Sequence, residues 1–164
     1  MNTNNENKFY MPAEWHLHES CWMQWPHENP NNDSYGKVPN WSNFDIKKAY
    51  ITWSNIAKSI AKFEKVKMIV HNNEIKIAEN LLNDKNIEII QFNNDDCWAR
   101  DSGAIFLLNN QNKLGGVDSQ FNGWGNKFKP FDSDNKIAKM MININQAHYC
   151  KNNMVLEGGS IHVD

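Results

Sequence analysis

The stretch Asp95-Asp96-Cys97-Trp98-Ala99-Arg100-Asp101-Ser102-Gly103 constrains the fold more than any other part of the chain. It is charged, and it lies between two apolar runs, Ile87 to Phe92 and Ala104 to Leu108. Short apolar runs of this kind predict strands. A polar segment between two strands belongs at a sheet rim, because burying it would strand backbone polar groups. Three carboxylates, one guanidinium and one indole therefore gather at a sheet edge, where a cation could be gripped.

The surrounding segments predict an α/β fold. Residues 1–9 are polar and aperiodic and predict a disordered tail. Ser20 to Trp25 reads as a strand stopped by Pro26, and His27 to Pro39 as a loop. From Asp45 to Phe63, Ile46, Ala49, Tyr50, Trp53, Ala57 and Ile60 recur at helical spacing, with Ser42 or Asn43 as N-cap. A strand at Val66–Val70, a helix at Glu74–Leu82 and a strand at Ile87–Phe92 follow. Ala104–Leu108 and Leu114–Phe121 form a hairpin through Asn109–Asn112. Asn122–Lys129 is a loop, Asp134–Ile144 a helix, and Met154–Leu156 and Ile161–Val163 are strands. The order lacks the regular alternation of a doubly wound sheet.

Composition removes several function classes. Net charge is -2 and no Lys/Arg block is present, which disfavours a nucleic-acid partner. No apolar run approaches the ~20 residues of a membrane span. The Asn-rich N-terminus has no apolar signal core, and Cys21, Cys97 and Cys150 are odd in number and far apart. Both features suit reduced thiols in a cytoplasm. Seven tryptophans are many for 164 residues, so several should serve a core or a site.

Each candidate residue has a plain structural alternative. Asp95, Asp96 and Asp101 could cap turn backbone, with Asp101 paired to Arg100. In a partly dry pocket, however, like carboxylates resist ionisation unless a cation arrives, and a guanidinium offers two parallel hydrogen bonds. Trp98 and Trp124 could be core, or aromatic walls against an organic cation. Glycines on both sides of Trp124 favour a presenting loop. Glu157, before Gly158-Gly159, could orient a histidine, receive a cation or sit at a surface bulge. His16, His18, Cys21 and His27 have ligand chemistry without zinc-site spacing. His162 reads as structural. Acidic neighbours make Cys97 a poor nucleophile. Gly115-Gly116 and Gly158-Gly159 lack the Lys and Ser/Thr of a phosphate loop.

These motifs together resemble the agmatine deiminase family, within the bacterial-type peptidylarginine deiminase group. Met11-Pro12-Ala13-Glu14-Trp15 with His18-Glu19, then Trp22 to Pro26, is similar to the family's opening. The 95–103 run resembles its DDxWxRDxGP motif. Val117-Asp118 with Phe121 to Gly125 resembles VDxxFNxWG, and Leu156 to Asp164 resembles LEGGSIHVD. The resemblance spans nearly all of residues 11–164. It implies a five-bladed α/β propeller of ββαβ-type units, of which residues 10–164 would form roughly the first half as a partial deiminase domain. It also implies hydrolysis of agmatine to N-carbamoylputrescine and ammonia through a cysteine thiolate, on a route to putrescine, with no metal or organic cofactor.

By the same resemblance Asp101 is the guanidinium-binding aspartate and Trp98 its aromatic neighbour. Glu157 supports the catalytic histidine, and Trp124 shapes the pocket. The family's later H-x-D motif and its C-terminal nucleophilic cysteine have no counterpart, since His162-Val163-Asp164 belongs to the LEGGSIHVD run. This chain alone is therefore expected to be inactive and to need a complementing C-terminal chain or further copies of itself. A peptidyl-arginine substrate and a non-catalytic guanidinium-binding module are the alternatives.

Overall fold

The computed structural model describes residues 8–27 and 45–163. The expected tail up to residue 7, the loop after His27, and the expected caps Ser42 and Asn43 lie outside them. Phe9, placed in the tail from sequence, is already in a strand. Two compact units form, one from residues 8–17, 100–122 and 135–163, the other from 18–99 and 123–134.

The second unit holds a three-stranded parallel sheet: β2 (Ser20–Gln24), β3 (Lys65–Val70) and β4 (Ile87–Gln91), with β3 central. A central parallel strand is covered on both faces, so it reads as a continuous apolar run. Val66, Met68, Ile69 and Val70 are indeed fully buried. Helix α1 (Ile46–Ile60) lays Ala49, Tyr50 and Ala57 into this core. Asp45 caps it, accepting from the Lys47 and Lys48 amides, which satisfies donors that a helix start leaves open. Helix α2 (Ile75–Leu81) follows a 3₁₀ turn at Asn72–Glu74. Trp25 stacks on Tyr50 at 5.3 Å, and the Tyr50 hydroxyl donates to buried Glu74 at 2.6 Å.

The first unit holds a four-stranded sheet in the order β1 (Phe9–Tyr10), β5 (Ile105–Asn109), β6 (Leu114–Gln120), β7 (His148–Val155). The β5–β6 hairpin forms as expected. The Asn109 side chain accepts from the Gln111 and Lys113 amides, and Asn112 takes the left-handed conformation at φ 57°. Helix α4 (Ile137–Ile144) leads into β7, which runs parallel to β6. Gly116 on β6 is packed against Ile142 of that helix, 2.5 Å from where a Cβ would stand.

Three expectations change. Strand β7 starts at His148 rather than Met154, because its polar residues are held by main-chain pairing with β6. Ile161–Val163 is no strand: Gly158–Ser160 forms a 3₁₀ turn instead, with the Ser160 and Ile161 amides bonded to the Glu157 and Gly158 carbonyls. Within the 122–129 loop, Gly123–Asn126 makes one turn with Trp124 left-handed at φ 53°.

Candidate functional site

In the four-stranded unit, strand direction gathers three sequence-distant segments at one sheet edge. Strand β5 is antiparallel to β6 and β1 antiparallel to β5. The start of β5 and the ends of the parallel pair β6–β7 therefore share that edge, and the chain leaving β1 runs toward it. Helix α3 (Ala99–Ser102) carries Arg100 and Asp101 to the start of β5, and Glu157 follows the end of β7. A register shift between Asp118 and Gln120 accompanies the close of the β6–β7 pairing, a common device for re-aiming a chain beside a site.

The contacts at this edge are specific. The Gly159 amide donates to Asp101 Oδ1 at 3.2 Å. A Cβ on Gly158 would collide with the Arg100 carbonyl, and one on Gly159 with Asp101 Oδ1. The glycine pair is thus needed for close approach. The Arg100 guanidinium donates to Glu14 Oε1 at 2.6 Å and reaches the Ile161 carbonyl at 3.5 Å. Glu14, not Asp101, is the carboxylate that sequence reasoning should have given Arg100. Its place in the Met11–Trp15 motif was the available signal.

In the three-stranded unit, Asp95 and Asp96 follow β4 at the C-terminal edge of the parallel sheet, and both are buried. Asp95 Oδ2 accepts from the Ser133 and Asp134 amides at 2.6 and 3.2 Å, while Asp134 Oδ1 accepts from the Asp95 amide at 2.9 Å. Gln24 links Asp96 to Asp134, its Nε2 donating to the Asp96 carbonyl and to Asp134 Oδ1. Asp96 Oδ1 accepts from the Cys97 amide at 2.7 Å. These carboxylates accept from main-chain amides, near and remote, and both are more than nine-tenths buried. Sequence reasoning missed Gln24 and Asp134. A glutamine inside an apolar strand and an aspartate at a helix start were the visible hints.

Burial is the main force on the titrating groups here. It pushes Asp134 up to about 8, with the Asp96 and Asp95 carboxylates adding repulsion against the stabilising Asp95 and Asp96 amides. Burial also drives the Cys97 thiol far above its usual range, helped by Asp96, so it is held protonated. His71 is pushed down by burial and by His27.

Trp98 and Trp124 both belong to the three-stranded unit. Trp98 is 38% exposed with its ring edge-on to Trp53 at 6.3 Å, and Trp124 lies edge-on to Phe128 at 5.4 Å. Trp98 is thus partly packed and partly exposed. The histidines scatter. His18 faces Glu64 at 3.6 Å, and His27 stacks on His71 and bonds the Asn94 carbonyl. His16 contacts the Leu17 carbonyl, and His162 is exposed. Among the described residues no three His, Cys, Asp or Glu side chains could hold a metal ion. Among them, too, no helix is long and apolar enough to cross a membrane.

Comparison with known proteins agrees with these motifs. Residues 10–164 match the family model of Porphyromonas-type peptidyl-arginine deiminase. A Legionella pneumophila relative is 43% identical over all of this chain and 45% of its own length. An agmatine deiminase of Pseudomonas aeruginosa is 37% identical, over 95% of this chain and 41% of that protein. Among solved structures, the agmatine deiminase of Enterococcus faecalis superposes with a TM-score of 0.79 at 31% identity, over 95% of this chain and 41% of that one. The mixed α/β architecture is that of part of the expected propeller. The chain spans less than half the length of the curated relatives it matches.

Proposed function

We propose a role that starts from kinship: the chain belongs to the Porphyromonas-type peptidyl-arginine deiminase family. In this reading it contributes one wall of a site that hydrolyses agmatine to N-carbamoylputrescine and ammonia. Asp101 accepts two parallel hydrogen bonds from the planar guanidinium. Glu157 orients a histidine supplied from outside residues 1–164. Trp98 and Trp124 supply aromatic faces to the cation. Asp95 and Asp96, their carboxylates accepting from backbone amides, hold the turn that precedes Trp98.

The attacking thiolate also comes from elsewhere, since Cys97 is held protonated by burial and Cys21 is raised by burial and Glu64. That thiolate attacks the guanidinium carbon, the C–N bond breaks as the departing nitrogen takes a proton and leaves as ammonia, and water then adds to the S-alkylthiouronium and displaces the thiolate to release N-carbamoylputrescine. The chain alone is inactive. Three free cysteines among the described residues suit a cytoplasmic setting.

One observation supports this reading above the rest. Asp101, half-buried, is braced by the Gly159 amide two residues from Glu157, the pair that the guanidinium and histidine roles require. The test is turnover of agmatine and of an Nα-acyl-arginine amide by the 164-residue chain, alone and mixed with a chain carrying the later H-x-D and Cys motifs. Agmatine turnover only in the mixture is the expected result. Turnover by the lone chain overturns the division of labour, and preference for the arginine amide favours a peptidyl-arginine substrate.

A further inference from the structure

We propose that Glu14 and Arg100 are positioning residues that hold Asp101 and the Glu157 turn in register for a guanidinium. This rests on the site reading above. Arg100 is bracketed twice against the segment that follows Glu157. Its main-chain carbonyl occupies the space a Gly158 Cβ would need, and its guanidinium reaches the Ile161 carbonyl at 3.5 Å. Glu14 closes the bracket from the N-terminal segment at 2.6 Å. The next residue, Asp101, takes the Gly159 amide at 3.2 Å. Fixing the Arg100 head thus fixes where the 158–161 turn lies relative to Asp101.

The exposure of the pair separates this role from a purely structural one. The Arg100 and Glu14 side chains are 52% and 43% exposed, and ion pairs this open to solvent contribute little to folding. A planar guanidinium with five donors can hold a carboxylate and a carbonyl together, whereas an ammonium is a point charge on a flexible stem. The geometry therefore depends on Arg at 100 and a carboxylate at 14, while global stability does not.

The experiment follows the Gly159 amide proton of the 164-residue chain by NMR, because its protection from exchange with solvent reports the hydrogen bond to Asp101. Wild type should show protection. Glu14→Gln and Arg100→Lys should each speed exchange of this proton at least about threefold, with melting temperatures within about 3 °C of wild type. Unchanged protection in both variants overturns the proposal. So does loss of folding in both, which would make the pair structural. A parallel titration with agmatine keeps the two ideas apart. Wild type that protects the Gly159 amide but ignores agmatine contradicts the site reading and leaves the positioning inference standing on its own amide signal.

Discussion

The carboxylates on the two sides of Trp98-Ala99-Arg100 are chemically alike and do different work. Upstream, Asp95, Asp96 and Asp134 are buried among main-chain amides and Gln24, and their hydrogen bonds tie the 95–97 turn to residues 133–134 and to β2. Downstream, Asp101 and Glu157 are half-buried at a sheet edge, with one glycine amide bracing Asp101. The difference comes from which backbone lies opposite. Asp95 faces the amides of a remote segment and is buried by it, whereas Asp101 faces a glycine turn and stays half-buried.

Four substitutions can break or sharpen that contrast. The largest effect is expected for Asp95→Ala. It strips the acceptor from the Ser133 and Asp134 amides, and unsatisfied buried donors cost roughly 1–3 kcal/mol each. Chemical denaturation should show a loss of about 3 kcal/mol, and a loss below about 1 kcal/mol would place Asp95 with the ligand-facing group. Asp101→Ala should do the reverse. Calorimetric titration with agmatine should lose about 30-fold in affinity, on the order of 2 kcal/mol for a charge-assisted hydrogen bond, while stability changes little.

Asp134 gives a pH test. Its folded pKa, about 8, lies above its ordinary value of 3.8. Between those values the folded state binds more protons than the unfolded one, so stability falls as pH rises through the window, at most about 1.4 kcal/mol per pH unit. Asp134→Asn should flatten that slope in denaturation midpoints measured from pH 4 to 8, and an unchanged slope would remove Asp134 as its source. The smallest effect belongs to Trp98→Leu. Loss of a half-exposed cation–π face should weaken agmatine about three- to fivefold, roughly 1 kcal/mol. A change in melting without a change in binding would make Trp98 a core residue against Trp53.

The fold was legible where apolar pattern and burial coincide. The β3 run Val66–Val70 and the α1 stripe through Ala49, Tyr50 and Ala57 are read directly from spacing, and both are buried. Strand β7 was not legible, because His148 to Asn153 carries no alternation and is recruited by the main chain of β6. Ile161-His162-Val163 alternates like a strand, but the two glycines before it allow a tight turn that puts Ile161 against Arg100. In the site, residue types were legible and partners were not. Glu14 finds Arg100 across 86 positions, and Asp134 finds Asp95 across 39, distances at which no local pattern carries information.

The most direct measurement maps where agmatine lands. Amide chemical-shift changes in the isotopically labelled 164-residue chain, followed to millimolar agmatine, should centre on Asp101 and the Glu157–Ser160 turn, with Trp98 responding and the Asp95, Ser133 and Asp134 amides still. Changes centred on Asp95, Asp96 and Asp134, or none at saturating ligand, would contradict the division between the two carboxylate groups.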